Sequence, residues 1–319
     1  MARAAAREDC CGDSLPIRNG KVFFIDVMRQ LMTWRFVAVA LALSLWFGSP
    51  ASAAMFVLGY QANLNDRFYV GSDKAFIGAA YDWSGVGQSS DNFWETMISP
   101  SYFVTANHWH ASIGDTIQFN LDNSPTGTYE TRTVVWSEQV GDSNSDLWLG
   151  ELSSPVGAGV AIYPILSLPN PANYKNLPLY TVGLADGSGV CNMRLGCNNI
   201  SSAGGSSMDF VYNTSAGVGS NESYVMSGDS GGPSFVPVDG QLALVGTHSA
   251  HSDANPVNGS ISIDTFVPFY INAIDAAMLA NGSSEQVTLV VPEPSTVVLL
   301  SIAAVSTLAY AWRRRRRTA

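Results

Sequence analysis

Short runs rich in Val, Ile, Phe, Tyr and Thr recur along most of this 319-residue chain, and clusters of Gly, Pro, Asn, Asp and Ser separate them. Runs of this length and spacing are typical of a β-sandwich or a β-barrel. The predicted strands are 101–106, 116–121, 129–136, 160–167, 179–183, 208–213, 242–247 and 260–266. The pattern therefore predicts an all-β domain.

Residues 267–280 differ from this pattern, because their apolar positions recur at helical spacing. Asn281-Gly282 follows directly and is typical of a helix C-cap. The sequence therefore predicts one short C-terminal helix. Beyond it, residues 282–291 are predicted to form a linker.

The N-terminal region has the features of an export signal. An apolar stretch over 36–48 follows Arg29 and Arg35, and the small residues Ala51-Ser52-Ala53 after it match the site that signal peptidase cleaves. Residues 1–53 are therefore predicted to be an N-terminal extension and signal peptide, and signal peptidase is an expected partner.

The region ahead of this signal is longer than a signal peptide requires. The 27 residues before Met28 precede the basic segment with which a signal peptide normally begins. Translation from Met28 or Met32 would explain this length, whereas translation from Met1 would give a true cytoplasmic extension. The sequence leaves the three starts open.

The C-terminal region has a second sorting pattern. Pro292-Glu293-Pro294 precedes the apolar segment 297–312, and Arg313–Arg317 follow it. The segment is just long enough for a transmembrane helix, and the arginines would hold its end on the cytoplasmic side. Residues 292–319 together resemble the PEP-CTERM sorting signal of Gram-negative bacteria. The resemblance implies processing by an exosortase, transient anchoring in the membrane, and export to the cell surface or extracellular matrix.

The region between the two sorting segments is strongly acidic. Residues 54–291 contain 5 basic and 21 acidic side chains, a net charge of −16, compared with −10 for the whole chain. Such a surface repels phosphate backbones, so nucleic acid is not an expected partner.

Few cysteines remain after export. Cys10 and Cys11 precede the predicted cleavage site, which leaves Cys191 and Cys197. In an exported chain, two cysteines six positions apart are expected to close one small disulfide loop. No spacing fits a metal site, and neither a metal nor another cofactor is expected.

The most informative motif is Gly228-Asp229-Ser230-Gly231-Gly232-Pro233, which puts a serine on a tight, glycine-flanked turn. A serine hydroxyl is a weak nucleophile until a neighbouring base takes its proton, and the oxyanion that then develops needs fixed N–H donors. The motif therefore predicts a histidine and a carboxylate elsewhere in the chain.

Both groups occur upstream of the serine. The β-rich run Tyr102–His108 ends in a histidine, and Asp146 opens a second apolar run. Asp142 is the competing acid, but it lies in a Gly/Asp/Ser/Asn loop with no apolar run behind it. The predicted order along the chain is therefore His108, Asp146 and Ser230.

This order, with Thr-Ala-Asn-His ending at His108, resembles the chymotrypsin-like and trypsin-like serine proteases over roughly residues 75–280. The resemblance implies a chymotrypsin-like double β-barrel with a short C-terminal helix, which we assign to residues 54–281.

The same resemblance implies a role for each residue of the site. His108 would be the general base, Asp146 would orient its imidazole, and Ser230 would be the nucleophile. The backbone N–H groups of Gly228 and Ser230 would form the oxyanion hole.

The resemblance also indicates which residues would bind the substrate side chain before the scissile bond, the P1 side chain. Tyr224 stands where trypsin has its aspartate, so cleavage after Lys or Arg is not supported. His248 matches a histidine of glutamyl endopeptidases, which makes acid specificity one hypothesis, although Val225 replaces the Ser or Thr of those enzymes. Ser249 matches the family serine beside the triad aspartate, and His251 replaces a glycine that usually keeps the pocket open.

Activation is a further open point. In many relatives a freed N-terminus buries its ammonium group against the aspartate before the nucleophile, here Asp229. One hypothesis is cleavage after Arg67, which would free Phe68 for this role. The alternative is that local backbone or side-chain donors satisfy Asp229.

Two classes of function follow. The first is an exported serine endopeptidase that hydrolyses a protein or peptide substrate through an acyl-enzyme intermediate. The second is a catalytically silent protease-fold binding or structural module displayed at the cell surface, since a fold does not guarantee an activity. The presence of His108, Asp146 and Ser230 together favours the first class.

Overall fold

The computed structural model describes residues 54–186, 189–214 and 217–292, together with Val305 and Arg313. The predicted signal peptide, and nearly all of the predicted transmembrane segment, lie outside these residues. Within the described ranges, no helix has the length and apolar character needed to cross a membrane.

Strands dominate the described residues, as the sequence predicts. They are β1 (Phe56–Val57), β2 (Val86–Ser89), β3 (Trp94–Met97), β4 (Tyr102–Ala106), β5 (Thr116–Asn120), β6 (Tyr129–Val140), β7 (Leu147–Leu152), β8 (Ile165–Leu166), β9 (Pro178–Gly183), β10 (Arg194–Gly204), β11 (Ser207–Val211), β12 (Ser223–Tyr224), β13 (Pro233–Val238), β14 (Gln241–His251), β15 (Ile261–Phe266) and β16 (Leu289–Val290). The helical elements are α1 (Ala62–Asn65), α2 (Ile271–Ala280) and the 3₁₀ turns Pro171–Tyr174 and Val267–Tyr270.

The first barrel consists of six antiparallel strands in the closed order β2-β3-β4-β7-β6-β5. Successive side chains of a strand point to opposite faces, so each strand serves two cores. In β4, Phe103 packs with Met97, Ile117 and Phe119 in one core, whereas Val104 belongs to the larger core that also contains residues of the second barrel.

The second barrel closes in the order β13-β9-β10-β11-β15-β14, with β14 pairing back to β13. Its apolar core includes Leu179, Met208, Phe210 and Val236. The two six-stranded barrels confirm the predicted chymotrypsin-like architecture.

The predicted C-terminal helix is confirmed as well. Val267–Tyr270 form a 3₁₀ turn that continues into α2, and Ile274 and Met278 are fully buried in the larger core. The helix therefore closes the domain by burying one apolar face.

The segment predicted as a linker, 282–291, is instead docked onto the domain. β16 extends the sheet of the second barrel by pairing in parallel with β8. Ile165 N donates to Thr288 O at 2.8 Å, and Ser167 N donates to Val290 O at 2.9 Å. The backbone N–H and C=O groups of this segment are therefore hydrogen-bonded within the sheet, whereas those of a free linker would bond to water.

Side chains fasten the same segment. Glu285 accepts hydrogen bonds from Ser101 N at 3.0 Å and from Ser101 Oγ at 2.8 Å. Val287 is only 9% exposed and joins the larger core. The folded domain therefore extends beyond residue 281 as far as Val290.

We expect Glu285→Ala to lower the free energy of unfolding by about 1–3 kcal/mol, because it removes both hydrogen bonds and leaves the N–H and the hydroxyl of Ser101 without their acceptor. Urea unfolding of the variant and the wild type measures this difference. Gln286→Ala, at the exposed neighbouring position, is the matched control and should change little. Equal stability of Glu285→Ala and Gln286→Ala would contradict the docking.

Candidate active site

The first barrel positions both His108 and Asp146. β4 and β7 are antiparallel neighbours with Ala106 opposite Leu147, so the residues just after β4 lie beside the residue just before β7. Asn107 N accordingly donates to Asp146 O at 2.9 Å. This register brings the side chains of His108 and Asp146 together.

The second barrel positions Ser230, on the turn that leads into β13. Gly228 has a φ of 104°, a backbone conformation that favours glycine. Gly231 N donates to His248 O at 2.9 Å, and His248 N donates to Gly232 O at 2.8 Å. These two bonds hold the turn against β14 and so fix the position of Ser230.

A series of hydrogen bonds joins the three side chains. His108 Nε2 lies 2.8 Å from Ser230 Oγ, and His108 Nδ1 lies 2.8 Å from Asp146 Oδ2 and 2.9 Å from Oδ1. An ionised carboxylate can only accept, so the Nδ1 proton faces Asp146 and Nε2 is left to accept the serine proton. The geometry suits a base-assisted nucleophile.

Several donors hold Asp146 as an anion. His108 N donates to Oδ1 at 2.9 Å, and Ser249 Oγ donates to Oδ2 at 2.6 Å. Burial raises the pKa of Asp146, but the hydrogen bonds from His108 and Ser249 outweigh burial and keep the pKa below its usual range. Asp142, the competing acid, accepts from Asn144 N within its own loop at 2.9 Å.

Two N–H groups of the nucleophile turn remain for an oxyanion. Asp229 N donates to Met226 O at 3.0 Å, and Gly232 N donates to Asp229 O at 2.8 Å. The N–H groups of Gly228 and Ser230, in contrast, have no acceptor among the described residues. They are the pair predicted to form the oxyanion hole.

Asp229 anchors the turn from inside the barrel, where it is fully buried. Its Oδ1 accepts from Leu184 N and its Oδ2 accepts from Met226 N, both at 2.7 Å. Burial raises the pKa of Asp229 to about 7, although these two hydrogen bonds oppose the rise. Met55, itself fully buried, donates its N–H to Leu184 O at 2.9 Å. Local backbone donors therefore satisfy Asp229.

The hypothesis of cleavage after Arg67 is wrong for this structure. Arg67 is 1% exposed, and its guanidinium donates to Trp83 O at 2.9 Å and to Asn120 O at 2.7 Å. Phe68 is 9% exposed and packs in the larger core. A protease cannot reach this bond, and Asp229 needs no ammonium partner.

The hypothesis of acid specificity requires His248 to reach a substrate, and the structure contradicts this. His248 is fully buried, with Nδ1 2.7 Å from Asp264 Oδ1 and Nε2 3.0 Å from Val182 O. Burial lowers the pKa of His248, but the Asp264 carboxylate outweighs burial and raises it. Both ring nitrogens are therefore occupied inside the barrel.

The other predicted pocket residues lie in three different surroundings. Val225 is 3% exposed and belongs to the apolar core of the second barrel. Ser249 contacts Asp146, as described. Tyr224 and His251 lie together, with ring centroids 5.8 Å apart.

The predicted disulfide is not present, because Cys191 and Cys197 are both free. Cys197 lies within β10, opposite Tyr180, and the extended strand carries it away from Cys191. Cys191 Sγ instead lies 3.6 Å from Asn120 Oδ1. A disulfide needs Cα atoms within about 7 Å. Burial raises the pKa of both thiols, that of Cys197 to about 12.

Sequence reasoning missed the residues that support the site. Leu184 and Met226 act through backbone N–H groups, which leave no side-chain signal. Asp264 and Ser227 lie far along the chain from their partners His248 and His251. Within the described ranges, no group of His, Cys, Asp and Glu side chains is arranged to hold a metal ion.

Comparison with known proteins agrees with this architecture. The family profile described as Trypsin matches residues 70–274, which is more than half of the chain, so the chain belongs to the trypsin family. A second profile, the PEP-CTERM protein-sorting motif, matches residues 290–316 and indicates export and surface sorting in a Gram-negative bacterium. No curated protein matches the chain.

Proposed function

We propose that this protein is an exported serine endopeptidase in which Ser230 attacks the peptide carbonyl, His108 transfers the proton and Asp146 orients His108. The observation that carries the proposal is the series of hydrogen bonds from Asp146 through His108 to Ser230, with distances of 2.8 Å at both ends. The reaction forms an acyl-enzyme ester on Ser230, which water then hydrolyses.

The chemistry divides between the barrels. His108 takes the proton of Ser230 during attack and returns it to the leaving amine, while the Asp146 carboxylate stabilises the imidazolium that forms in between. The N–H groups of Gly228 and Ser230 stabilise the oxyanion. Asp229 keeps these donors in place by fastening the turn to Leu184.

The two sorting segments give the proposal its location. Signal peptidase would release the mature chain after residue 53, and an exosortase would process the motif that begins at residue 290. The proteolytic domain comprises residues 54–281 together with the docked segment up to Val290. Its substrates are proteins at the cell surface or in the surrounding matrix.

Labelling with a fluorophosphonate tests the proposal, because this probe reacts with activated serine nucleophiles. We expect the purified full chain to be labelled on Ser230 alone, as located by mass spectrometry, and Ser230→Ala to lose all labelling. A folded wild-type protein that stays unlabelled would instead support the second function, a silent binding or structural module.

A further inference from the structure

The position of the P1 residue follows from the hydrogen-bond donors. The carbonyl carbon under attack lies against Ser230 Oγ, and its oxygen points to the N–H groups of Gly228 and Ser230. The leaving group lies towards His108, which protonates it. The P1 residue therefore lies on the opposite side, over Ser227, and its side chain points between residues 224–227 and the end of β14.

The end of β14 offers a free edge to the substrate backbone. β14 pairs with β13 only as far as Thr247 opposite Pro233, whereas it pairs with β15 as far as His251 opposite Ser262. Among the described strands, one edge of residues 249–251 is therefore unpaired, and an extended peptide can add to it. A peptide on this edge brings its P1 side chain to His251.

Two aromatic rings fill the space that this side chain would enter. Tyr224 is fully buried, and its ring meets that of His251 at an interplanar angle of 74° with centroids 5.8 Å apart. A carbon atom between two rings needs about 3.5–4.0 Å on each side, so the centroids would have to be about 7 Å apart or more. The observed spacing leaves no such gap.

Hydrogen bonds hold both rings in place. Tyr224 Oη donates to Asp253 O at 2.9 Å and accepts from Asp253 N at 2.7 Å. His251 Nδ1 donates to the same Asp253 carbonyl at 3.0 Å, so its Nε2 is left to accept from Ser227 Oγ at 3.3 Å. The imidazole therefore bridges β14 and the nucleophile loop.

We propose that His251, supported by Tyr224, restricts the P1 residue to Gly or Ala, so that protein substrates are cleaved after these small residues. This inference rests on the proposed peptidase function. His251 determines specificity through the volume of its ring. Loss of the hydrogen bonds to Asp253 and Ser227 would not open the gap as long as the ring stayed in place.

Peptides that differ only at P1 test the inference on the full chain. We expect the wild type to hydrolyse an Ala peptide with a kcat/KM at least about 10-fold above that of a matched Leu or Glu peptide. His251→Gly should raise kcat/KM for the Leu peptide by about 10–100-fold. His251→Phe keeps a ring in the space but loses both hydrogen bonds, and should retain the preference for Ala over Leu.

A fluorophosphonate without a P1 side chain separates the two proposals, because it reports on Ser230 alone and shows that each variant is folded. Labelled wild-type protein with equal turnover of Ala and Leu peptides would overturn the role of His251, as would an unchanged Leu rate in labelled His251→Gly. Folded but unlabelled wild-type protein would overturn the proposed function, and this inference with it.

Discussion

Asp146→Asn is expected to lower kcat for peptide hydrolysis by about 10⁴-fold at neutral pH, with KM nearly unchanged. The carboxylate accepts the Nδ1 proton of His108 at 2.8 Å. An amide nitrogen at the same place would favour the tautomer with its proton on Nε2, which faces Ser230 and could then no longer accept the serine proton. The rate of fluorophosphonate labelling should fall together with kcat.

The chain supplies a matched control in Asp142, four residues away. Its carboxylate accepts from Asn144 N within the loop, and an amide oxygen can replace it in that contact. We therefore expect Asp142→Asn to keep nearly full activity. If Asp142→Asn lost activity and Asp146→Asn kept it, the assignment of the acid would have to be reversed.

The second large effect concerns Glu95 in β3, which is fully buried in the first barrel. Neither carboxylate oxygen has a hydrogen-bond partner among the described residues. Burial holds the pKa of Glu95 well above its usual range, and the nearby charge of Asp115 adds to the rise. Glu95 therefore stays protonated in the folded protein under conditions where it ionises in the unfolded chain.

The sign of the resulting pH dependence follows from proton counting. Above the unfolded pKa of about 4.3, the unfolded chain binds fewer protons than the folded one, so stability falls as pH rises. The contribution of Glu95 to this fall is about 1.4 kcal/mol per pH unit until the pH reaches its folded pKa. Below the unfolded pKa, Glu95 is protonated in both the folded and the unfolded state, so it does not contribute to the pH dependence of stability.

Glu95→Gln removes this contribution and keeps the shape of the protonated acid. We expect the variant to match the wild type near pH 4 and to become increasingly more stable than it as the pH rises above 5 towards the folded pKa of Glu95, as measured by urea unfolding. Glu138→Gln on the exposed face of β6 is the control, and its free energy of unfolding should change with pH in the same way as that of the wild type. A constant difference between Glu95→Gln and the wild type would show that Glu95 ionises normally in the barrel.

Most of the architecture could be predicted because many strands are apolar and bounded by turn residues. β4 and β15 agree closely with the runs 101–106 and 260–266. β3, β7 and β13 lie outside the predicted runs, as do β2 and β10, whose residues are largely small or polar. In β10 the polar groups are satisfied inside the fold, as Asn198 Nδ2 is by Ser223 O at 3.0 Å. Composition alone cannot distinguish such a strand from a loop.

The prediction over 160–167 failed in the opposite way. Only Ile165–Leu166 form a strand, although Val160 and Tyr163 are buried. Tyr163 N donates to Met97 O at 3.0 Å, outside any regular ladder. An apolar run indicates burial, and burial does not require a strand.

A local motif predicts a turn well where the residues are adjacent, as around Ser230, where Gly228 has a φ of 104°. The substrate-binding residues depend instead on which side of a barrel wall each side chain faces. His248 and His251 occupy one strand, yet the first pairs with Asp264 inside the barrel and the second lies beside Ser227. A bulge between His248 and Ala250 shifts the register between them. No pattern in the sequence marks that shift.

The burial of Met55 has a consequence for the timing of maturation. Its N–H is bonded to Leu184, the same residue whose own N–H holds Asp229, and its carbonyl accepts from Arg194 Nη1 at 3.1 Å. A signal peptidase that cuts after residue 53 needs the flanking residues extended in its own cleft, so it must act before Met55 settles into the barrel. With the proposed cleavage after residue 53, the support that Met55 gives beneath the nucleophile turn would be added only after the chain had been released from its leader.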